Sequence, residues 1–445
     1  MRRAVVIGSG PNGLAAAVRL AASGLEVEVV EAHPEIGGGM RTAELTLPGF
    51  RHDVCSAIHP LARASPVFRE LDIEWAESPA ACAHPFDDGT AVTLERGVEQ
   101  TAAQLGADAA AYARLVTPFV RAVERFVAGR LPLANVLAAL RPARALAEAR
   151  FTGERARGFF AGHAAHSMLP LERRPSAGFG LALVALGHVV AWPFPRGGTT
   201  ALAEALAARL RELGGTIRAG APAQELPRAD LVLCDVMPRE LVRLARGRLP
   251  ARYERRLLRY RHGPGAFKLD WALSGPIPWR ADACRRAATV HLGATLDEIS
   301  RSERENRSPI PFVILAQQSL FDSTRAPEGQ HTAWAYCHVP NGSGTDRVAA
   351  IEDQVERFAP GFAGLVLARS VHAPADLEAE NRNYVGGDIN GGLMDLGQLV
   401  FRPSSLPYRT PLRGVYLCSS ATPPGGGVHG LCGVAAARLA LRGLR

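Results

Sequence analysis

Gly8, Gly10 and Gly13 stand in the spacing G-x-G-x-x-G, with Pro11 and Asn12 between the last two. In that spacing the first glycine permits a tight turn and the second lets a pyrophosphate approach the backbone. The third lets a helix pack closely on a strand. A helix starting there offers free N–H groups and a partial positive charge to phosphates. Glu31, followed by Ala32, lies 23 residues after Gly8. An acidic residue at about that distance holds ribose hydroxyls, and its charge repels a 2′-phosphate. The expected chemistry is the binding of a dinucleotide, and not of NADP.

A second glycine cluster follows at Gly37, Gly38 and Gly39, leading into Met40, Arg41 and Thr42. Glycines there let another backbone segment approach the same ligand. Arg41 can give charge-assisted hydrogen bonds to phosphate oxygens. A simple nicotinamide fold has no use for this second clamp, so the pair of clusters points to FAD.

These residues need elements to position them. Ala4–Ile7 is a short apolar run of the kind found in a buried parallel strand. The glycine turn follows, then an alanine-rich helix from Leu14 to Ser23 with Gly24 as its stop. Glu26–Val30 is a second strand, ending at Glu31. From about Ala102 to Ala164 the pattern is helical, punctuated by Pro132, Pro142 and Gly153, and is read as a helical insertion. Ala177 to Phe194 is apolar, but it ends at Trp192-Pro193 and contains His188, which fits a buried helix or cavity wall better than a membrane span of about 20 residues. A helix is expected over Ala201–Leu213 and another over Val348–Phe358. Strands are expected near Thr216–Arg218, Leu231–Cys234, Phe267–Leu273, Phe312–Gln317, Thr332–Val339 and Gly414–Cys418. The C-terminus repeats the opening pattern: strand, a Pro/Gly turn over Ser419–Gly427, and a helix over His429–Leu444.

Other side chains invite chemistry. Lys268 is the only lysine beside 50 arginines, on an alternating segment that places Lys268, Asp270 and Ala272 on one face. His59, His163, His166, His188 and His429 offer acid/base groups near neutral pH, though each also fits a packing role. Trp192, Phe194, Trp334 and Tyr336 fit either a substrate tunnel or the core. No Ser/His/Asp or H-E-x-x-H arrangement is present.

Composition bounds the rest. The chain has 445 residues, 47% hydrophobic and 21% charged, which excludes a disordered chain, a coiled coil or a small disulfide scaffold. The net charge of +8 comes from arginines that form no single basic run, so a nucleic-acid partner is not expected. The seven cysteines are scattered and none are spaced C-x-x-C, so neither a metal site nor a disulfide framework is expected. With no cleavable signal in view, the expected location is cytoplasmic.

Together the two glycine clusters and Glu31 resemble the FAD fingerprint of the amine oxidase and phytoene desaturase superfamily. Pro48–Ser56, Tyr384–Ile389 and the run from Leu417 through Ser420 to Gly430 are similar to segments of its phytoene dehydrogenase-like group. The resemblance spans nearly the whole chain and is most specific at its two ends. It implies an α/β fold: a Rossmann-like, glutathione reductase-type FAD-binding domain with an interleaved α+β substrate domain that carries the helical insertion. The implied cofactor domain is discontinuous, over 1–75, 193–260 and 400–445, with the substrate domain over 76–192 and 261–399. Ser420, Gly426, Gly427 and Val428 would pass beside the flavin, and the last helix would aim its positive end at the flavin N1 and O2 region. In amine oxidases a lysine on the corresponding strand holds a water near flavin N5. The resemblance gives that role to Lys268, with His429 as a second catalytic candidate.

The implied activity is an FAD-dependent oxidoreductase that moves a hydride from a C–H bond of an apolar small molecule or secondary metabolite to flavin N5, forming a double bond. The electron acceptor, whether oxygen, a quinone or another carrier, is left open, as are the oligomeric state and peripheral membrane contact. Two alternatives share the architecture: a redox-neutral isomerase of the carotenoid isomerase type, and a flavin-free lipid- and protein-binding module of the Rab GDP-dissociation-inhibitor type.

Overall fold

The computed structural model describes residues 2–127 and 133–444. Pro132, one of the expected breaks in the helical insertion, lies outside the described residues. Two sheets organise the rest. The first is a five-stranded parallel sheet in the order Val415–Leu417, Leu231–Cys234, Arg3–Ile7, Glu26–Val30, Thr216–Arg218. Leu231–Cys234 and the run Ala4–Ile7 are apolar on both faces, as strands covered on both sides require, while Glu26–Val30 alternates with glutamate.

The helix after the glycine turn begins earlier than its alanine pattern, at Pro11, and runs to Ala21. Proline suits a first helical turn because its missing N–H would be unpaired there anyway. The last helix, Leu431–Arg442, lies directly on this one. A Cβ on Gly433 would come 1.8 Å from the Asn12 carbonyl oxygen, so the two helices meet backbone to backbone.

The second sheet has seven strands in the order Val366–His372, Gly265–Leu273, His331–Val339, Val313–Ala316, Thr289–Leu292, Cys82–Pro85, Ala91–Leu94. All its pairings are antiparallel except that of Thr289–Leu292 with Cys82–Pro85. Alternation assigns its faces. Val313 and Leu315 pack with Leu269, Trp271 and the helix Val348–Phe358. Phe312 and Ile314 face the helical insertion, where Phe159, Phe160, Leu181 and Val184 form a separate core.

The insertion breaks into short helices, with Pro142 and Gly153 each standing just before one of them. The apolar stretch near residue 180 is a helix, Ser176–Val190, and no helix among the described residues is long and apolar enough to cross a membrane. The strands at 82–85, 91–94, 289–292 and 366–372 are not apparent from the sequence pattern. Cys82–Pro85 is buried throughout and lacks alternation, and Val366–His372 is an edge strand whose side chains are only partly covered.

Candidate active site

A cavity of about 590 Å³ opens at the carboxyl ends of the parallel strands and reaches the second sheet. Its first wall is backbone. Gly8, Gly10, Pro11, Asn12, Glu31, Ala32, Gly38, Gly39 and Arg41 all line it. The two glycine clusters touch: Gly37 N–H donates to the Ser9 carbonyl at 3.1 Å, and a Cβ on Gly38 would lie 3.1 Å from Gly10 Cα. Glu31 is held at its strand end by Ser9 N–H and Ser9 Oγ, each donating at 2.7 Å, and by His33 N–H at 2.8 Å. Arg41 is buried, tied to Glu380 at 2.6 Å and to the Gly38 carbonyl at 2.9 Å.

This wall fits a dinucleotide. Side chains at Gly8, Gly10 or Gly13 would strike Asp235 or the Gly8 carbonyl, which leaves bare backbone toward the cavity. The buried Asn12 Oδ1 at the start of the helix has no protein partner, as expected of a group that meets a ligand or water. Ser420, Gly427 and Val428 join this wall from the C-terminal turn, just before the N-terminus of the last helix.

Other expected site residues stand off the cavity wall. Gly13 gives its N–H to Asp235 Oδ2 at 2.8 Å and works by closeness, since a Cβ there would sit 2.0 Å from the Gly8 carbonyl oxygen. Met40 packs among Leu14, Leu202 and Leu206. Gly426 lies against the Asn390 carbonyl. His429 is fully engaged, its Nε2 3.2 Å from the Gly425 carbonyl and its Nδ1 accepting from Leu431 N–H at 3.0 Å. Burial lowers its pKa to about 4, so it is a neutral cap on the last helix. His59 lies 3.3 Å from Thr199 Oγ1, and His188 bonds Tyr112 and the Glu95 carbonyl at 2.8 Å each.

Lys268 also stands behind the wall. Its ammonium donates to Asp270 and lies 5.8 Å from the ring of Trp334, which does line the cavity. His52 and His372 flank the same carboxylate at 3.7 and 3.5 Å. Burial raises the Asp270 pKa to about 6 despite Lys268, and burial with Lys268 lowers His52 to about 3 and His372 to about 4. Near neutral pH both imidazoles of this cluster are therefore neutral.

Sequence reasoning missed Asp235. It follows the strand Leu231–Cys234, lines the cavity and caps the glycine-turn helix through Gly13. Burial, with Glu31 nearby, raises its pKa to about 7 although the Gly13 bond works against this. Its signal was positional: an acid just past a buried parallel strand, where such sheets bind ligands.

The second wall is apolar. Leu183, Trp192, Ile314, Ala316, Trp334 and Tyr336 line it, and Trp334 stacks on Tyr336 with ring centroids 5.6 Å apart. Cys55, His166 and Thr289 add small or neutral polar groups. The arrangement can hold a dinucleotide on one side and an uncharged organic molecule on the other.

Known proteins agree with this geometry. Residues 6–71 match the NAD(P)-binding Rossmann-like domain family. The chain is 26% identical to the mouse pyridine nucleotide-disulfide oxidoreductase domain-containing protein 2, covering 99% of this chain and 94% of that one. It is 27% identical to a phytoene dehydrogenase of Streptomyces griseus over 76% of this chain and 73% of that protein. Among solved structures, an oxidoreductase from Methanosarcina mazei superposes with a TM-score of 0.68 at 16% identity, covering 99% of each chain. A putrescine oxidase bound to putrescine superposes with a TM-score of 0.65 at 17% identity, covering 99% of this chain and 98% of that one. The chain carries an NAD(P)-binding Rossmann-like domain, is similar over nearly its whole length to proteins named as oxidoreductases, and shares the fold of these solved oxidoreductases.

Proposed function

We propose that the chain is a phytoene desaturase-like dehydrogenase that takes a hydride and a proton from an apolar, uncharged organic substrate and leaves a double bond. In this reading the segments 1–75, 193–260 and 400–445 form the cofactor unit, and 76–192 with 261–399 form the substrate unit.

One observation carries the proposal. Of the charged residues lining the cavity, Glu31, Arg41, Asp235, Glu240 and Arg243 come from the cofactor segments, while Glu380 and Arg382 come from 261–399, where Glu380 is paired with Arg41 at 2.6 Å. The wall contributed by the second sheet and the helical insertion has no Asp, Glu, Lys or Arg among its lining residues. An ammonium substrate would meet no countercharge there, and burying an unpaired charge is costly. An apolar substrate gains about 25 cal/mol for each Å² it buries against such a wall.

FAD, when bound, supplies a two-electron hydride acceptor. The protein's residues do the rest. Gly8, Gly10 and Gly38 hold the dinucleotide through backbone, and Glu31 orients its ribose. The N-terminus of Leu431–Arg442 follows the lining residues Gly427 and Val428, and its partial positive charge would favour negative charge gained by a cofactor held there. Trp192, Ile314 and Trp334 exclude water from the reacting C–H bond. Lys268 acts through Asp270 and Trp334 as a positioning residue behind that wall. Relatives support the apolar substrate: a 1-hydroxycarotenoid 3,4-desaturase of Flavobacterium is 32% identical over 23% of this chain.

The test is anaerobic bleaching of the purified, FAD-loaded chain. Polyenes and alkenes dispersed in mild detergent are expected to bleach the flavin and yield products two hydrogens lighter. Primary amines and diamines are expected to leave it oxidised. Bleaching by amines alone would overturn the proposal, and products of unchanged mass with no acceptor consumed would replace it with the isomerase reading.

A further inference from the structure

Behind the apolar wall, on the side away from the dinucleotide, lies a buried cluster of soft ligands that the redox reading does not use. Cys82 and His84 share one face of their strand, and the parallel register Val290 with Ala83 puts His291 on that same face. The helix Glu154–Ala165 packs over them. It approaches through glycine: a Cβ on Gly158 would stand 2.2 Å from the Ala294 carbonyl oxygen, and one on Gly162 would stand 2.9 Å from His291 Nδ1 and 3.1 Å from His84 Nδ1. That close approach brings in His163. Cys82 Sγ and a ring nitrogen from each of His163 and His291 lie within 4.8 Å of one another, and all three side chains are buried.

The hydrogen bonds prepare these groups as ligands. His163 Nδ1 is 2.8 Å from the Phe159 carbonyl, which makes Nδ1 the donor and leaves Nε2 with a bare lone pair. His291 Nε2 is 2.9 Å from His166 Nε2, which leaves His291 Nδ1. Both remaining nitrogens, His163 Nε2 and His291 Nδ1, are buried without a hydrogen-bond partner. Metal-binding histidines commonly have their second nitrogen fixed in this way by an outer partner.

We propose that Cys82, His163 and His291 form a binding site for a thiophilic transition-metal ion, of the copper(I) or zinc class. A Cys/His₂ donor set suits these ions and not magnesium or calcium. On binding, Cys82 loses its proton to solvent, and the two imidazoles coordinate through their lone pairs without losing any. The thiolate cancels the charge of copper(I) and leaves a single positive charge with zinc. The ion fixes His291 as the donor to His166, and His166 lines the substrate cavity. The site therefore orients one polar group in the apolar wall, whatever substrate that wall accepts.

The test uses the full FAD-loaded chain after chelator treatment and dialysis. It is titrated separately with zinc, with copper(I) under anaerobic competition, and with cobalt(II) as a spectroscopic probe. One ion per chain is expected, with release of one proton and a thiolate-to-cobalt charge-transfer band. Cys82→Ser is expected to keep its flavin and lose the band, and His163→Ala to keep its flavin and bind the ion more weakly than wild type. Failure of the wild-type chain to bind any of the three ions overturns the proposal, as does a band that survives in flavin-loaded Cys82→Ser. If neither variant folds, an anomalous scattering map of the metal-soaked wild-type protein decides. A peak between Cys82, His163 and His291 supports the site, and a peak elsewhere or none rejects it.

Discussion

The two walls of the cavity are built in opposite ways. On the dinucleotide wall, both glycine clusters and Glu31 come from one unbroken run, residues 3–42, and its working parts are backbone N–H groups made accessible by glycine. The facing wall takes Leu183 from a helix, Trp192 from the loop after it, Ile314 from one strand, and Trp334 and Tyr336 from another. A backbone site imprints its geometry on residue type and spacing, because few residues besides glycine allow it. An apolar side-chain site draws on the same residues as any core. The first wall is expected to break at single glycines, and the second to respond to charge.

The largest effect is expected at Gly13. Its Cβ would lie 2.0 Å from the Gly8 carbonyl oxygen, against rigid backbone. Gly13→Ala is expected to cost about 3 kcal/mol and to yield protein without flavin absorbance. Gly24 is the control. It has φ +81° and nothing within 4 Å of its Cβ, so Gly24→Ala pays only for the left-handed backbone, about 1 kcal/mol, and keeps its flavin. Equal flavin content in the two variants would remove the argument for close approach.

A sharper version moves outside the motif. Gly433 lies far from residues 3–42 in sequence, yet its Cβ would meet the Asn12 carbonyl oxygen at 1.8 Å. Gly433→Ala is expected to cost about 2–3 kcal/mol and to lower FAD retention through the first turn of the Pro11 helix. Thermal unfolding and the flavin-to-protein absorbance ratio measure both. Normal FAD retention would show that the glycine cradle stands independently of the C-terminal helix.

This contrast also explains what was legible in advance. The glycine turn, Glu31 and the second glycine cluster read as one wall from the sequence because the steric demand is local, and Gly8, Gly10, Glu31, Gly38 and Gly39 line one cavity. The strands Leu231–Cys234 and Gly265–Leu273 were legible from apolar and alternating runs. Thr289–Leu292 was not, because its polar residues Thr289 and His291 are buried by contacts from distant elements. Asp235 has no motif of its own, and only the fold sets its carboxylate against Gly13. His163 and His291 have no motif spacing at all, and a rule that looks for C-x-x-C or H-x-x-x-H passes over them. Lys268 stood out by rarity, but its pairing with Asp270 and its place behind Trp334 depend on the sheet.

Lys268 tests the second wall. Lys268→Met removes the cation beside a fully buried carboxylate. The Asp270 pKa of about 6 already lies above its ordinary value of 3.8. A raised pKa means the stabilising contribution is complete at low pH and is lost as pH rises through the folded value. Without Lys268 that pKa rises further, so the loss continues above pH 6. The variant is expected to match wild type near pH 5.5 and to fall below it by up to about 3 kcal/mol at pH 8. It should keep FAD and slow one flavin half-reaction. Lys268→Met with Asp270→Asn should recover the stability and not the rate. Recovery of both would make the lysine a purely structural residue.

The smallest effect is expected at Asp235, where the two kinds of wall overlap: a side chain placed by a distant strand serves the local glycine turn. Burial holds its folded pKa near 7, well above 3.8. Below that value the group is largely neutral and accepts the Gly13 N–H at no electrostatic expense to an anionic ligand. As pH rises through 7 it gains a negative charge beside the pyrophosphate cradle and near Glu31, and FAD affinity should fall. One pKa unit corresponds to about tenfold, so wild-type FAD affinity is expected to weaken by about tenfold between pH 6 and pH 8. Asp235→Asn keeps an acceptor for Gly13 N–H and cannot ionise, so its affinity should stay level over the same range. Fluorescence titration of apoprotein with FAD at a series of pH values measures this. Parallel curves for the two proteins would mean that Asp235 stays in one protonation state throughout, and that the cradle owes its affinity to backbone alone.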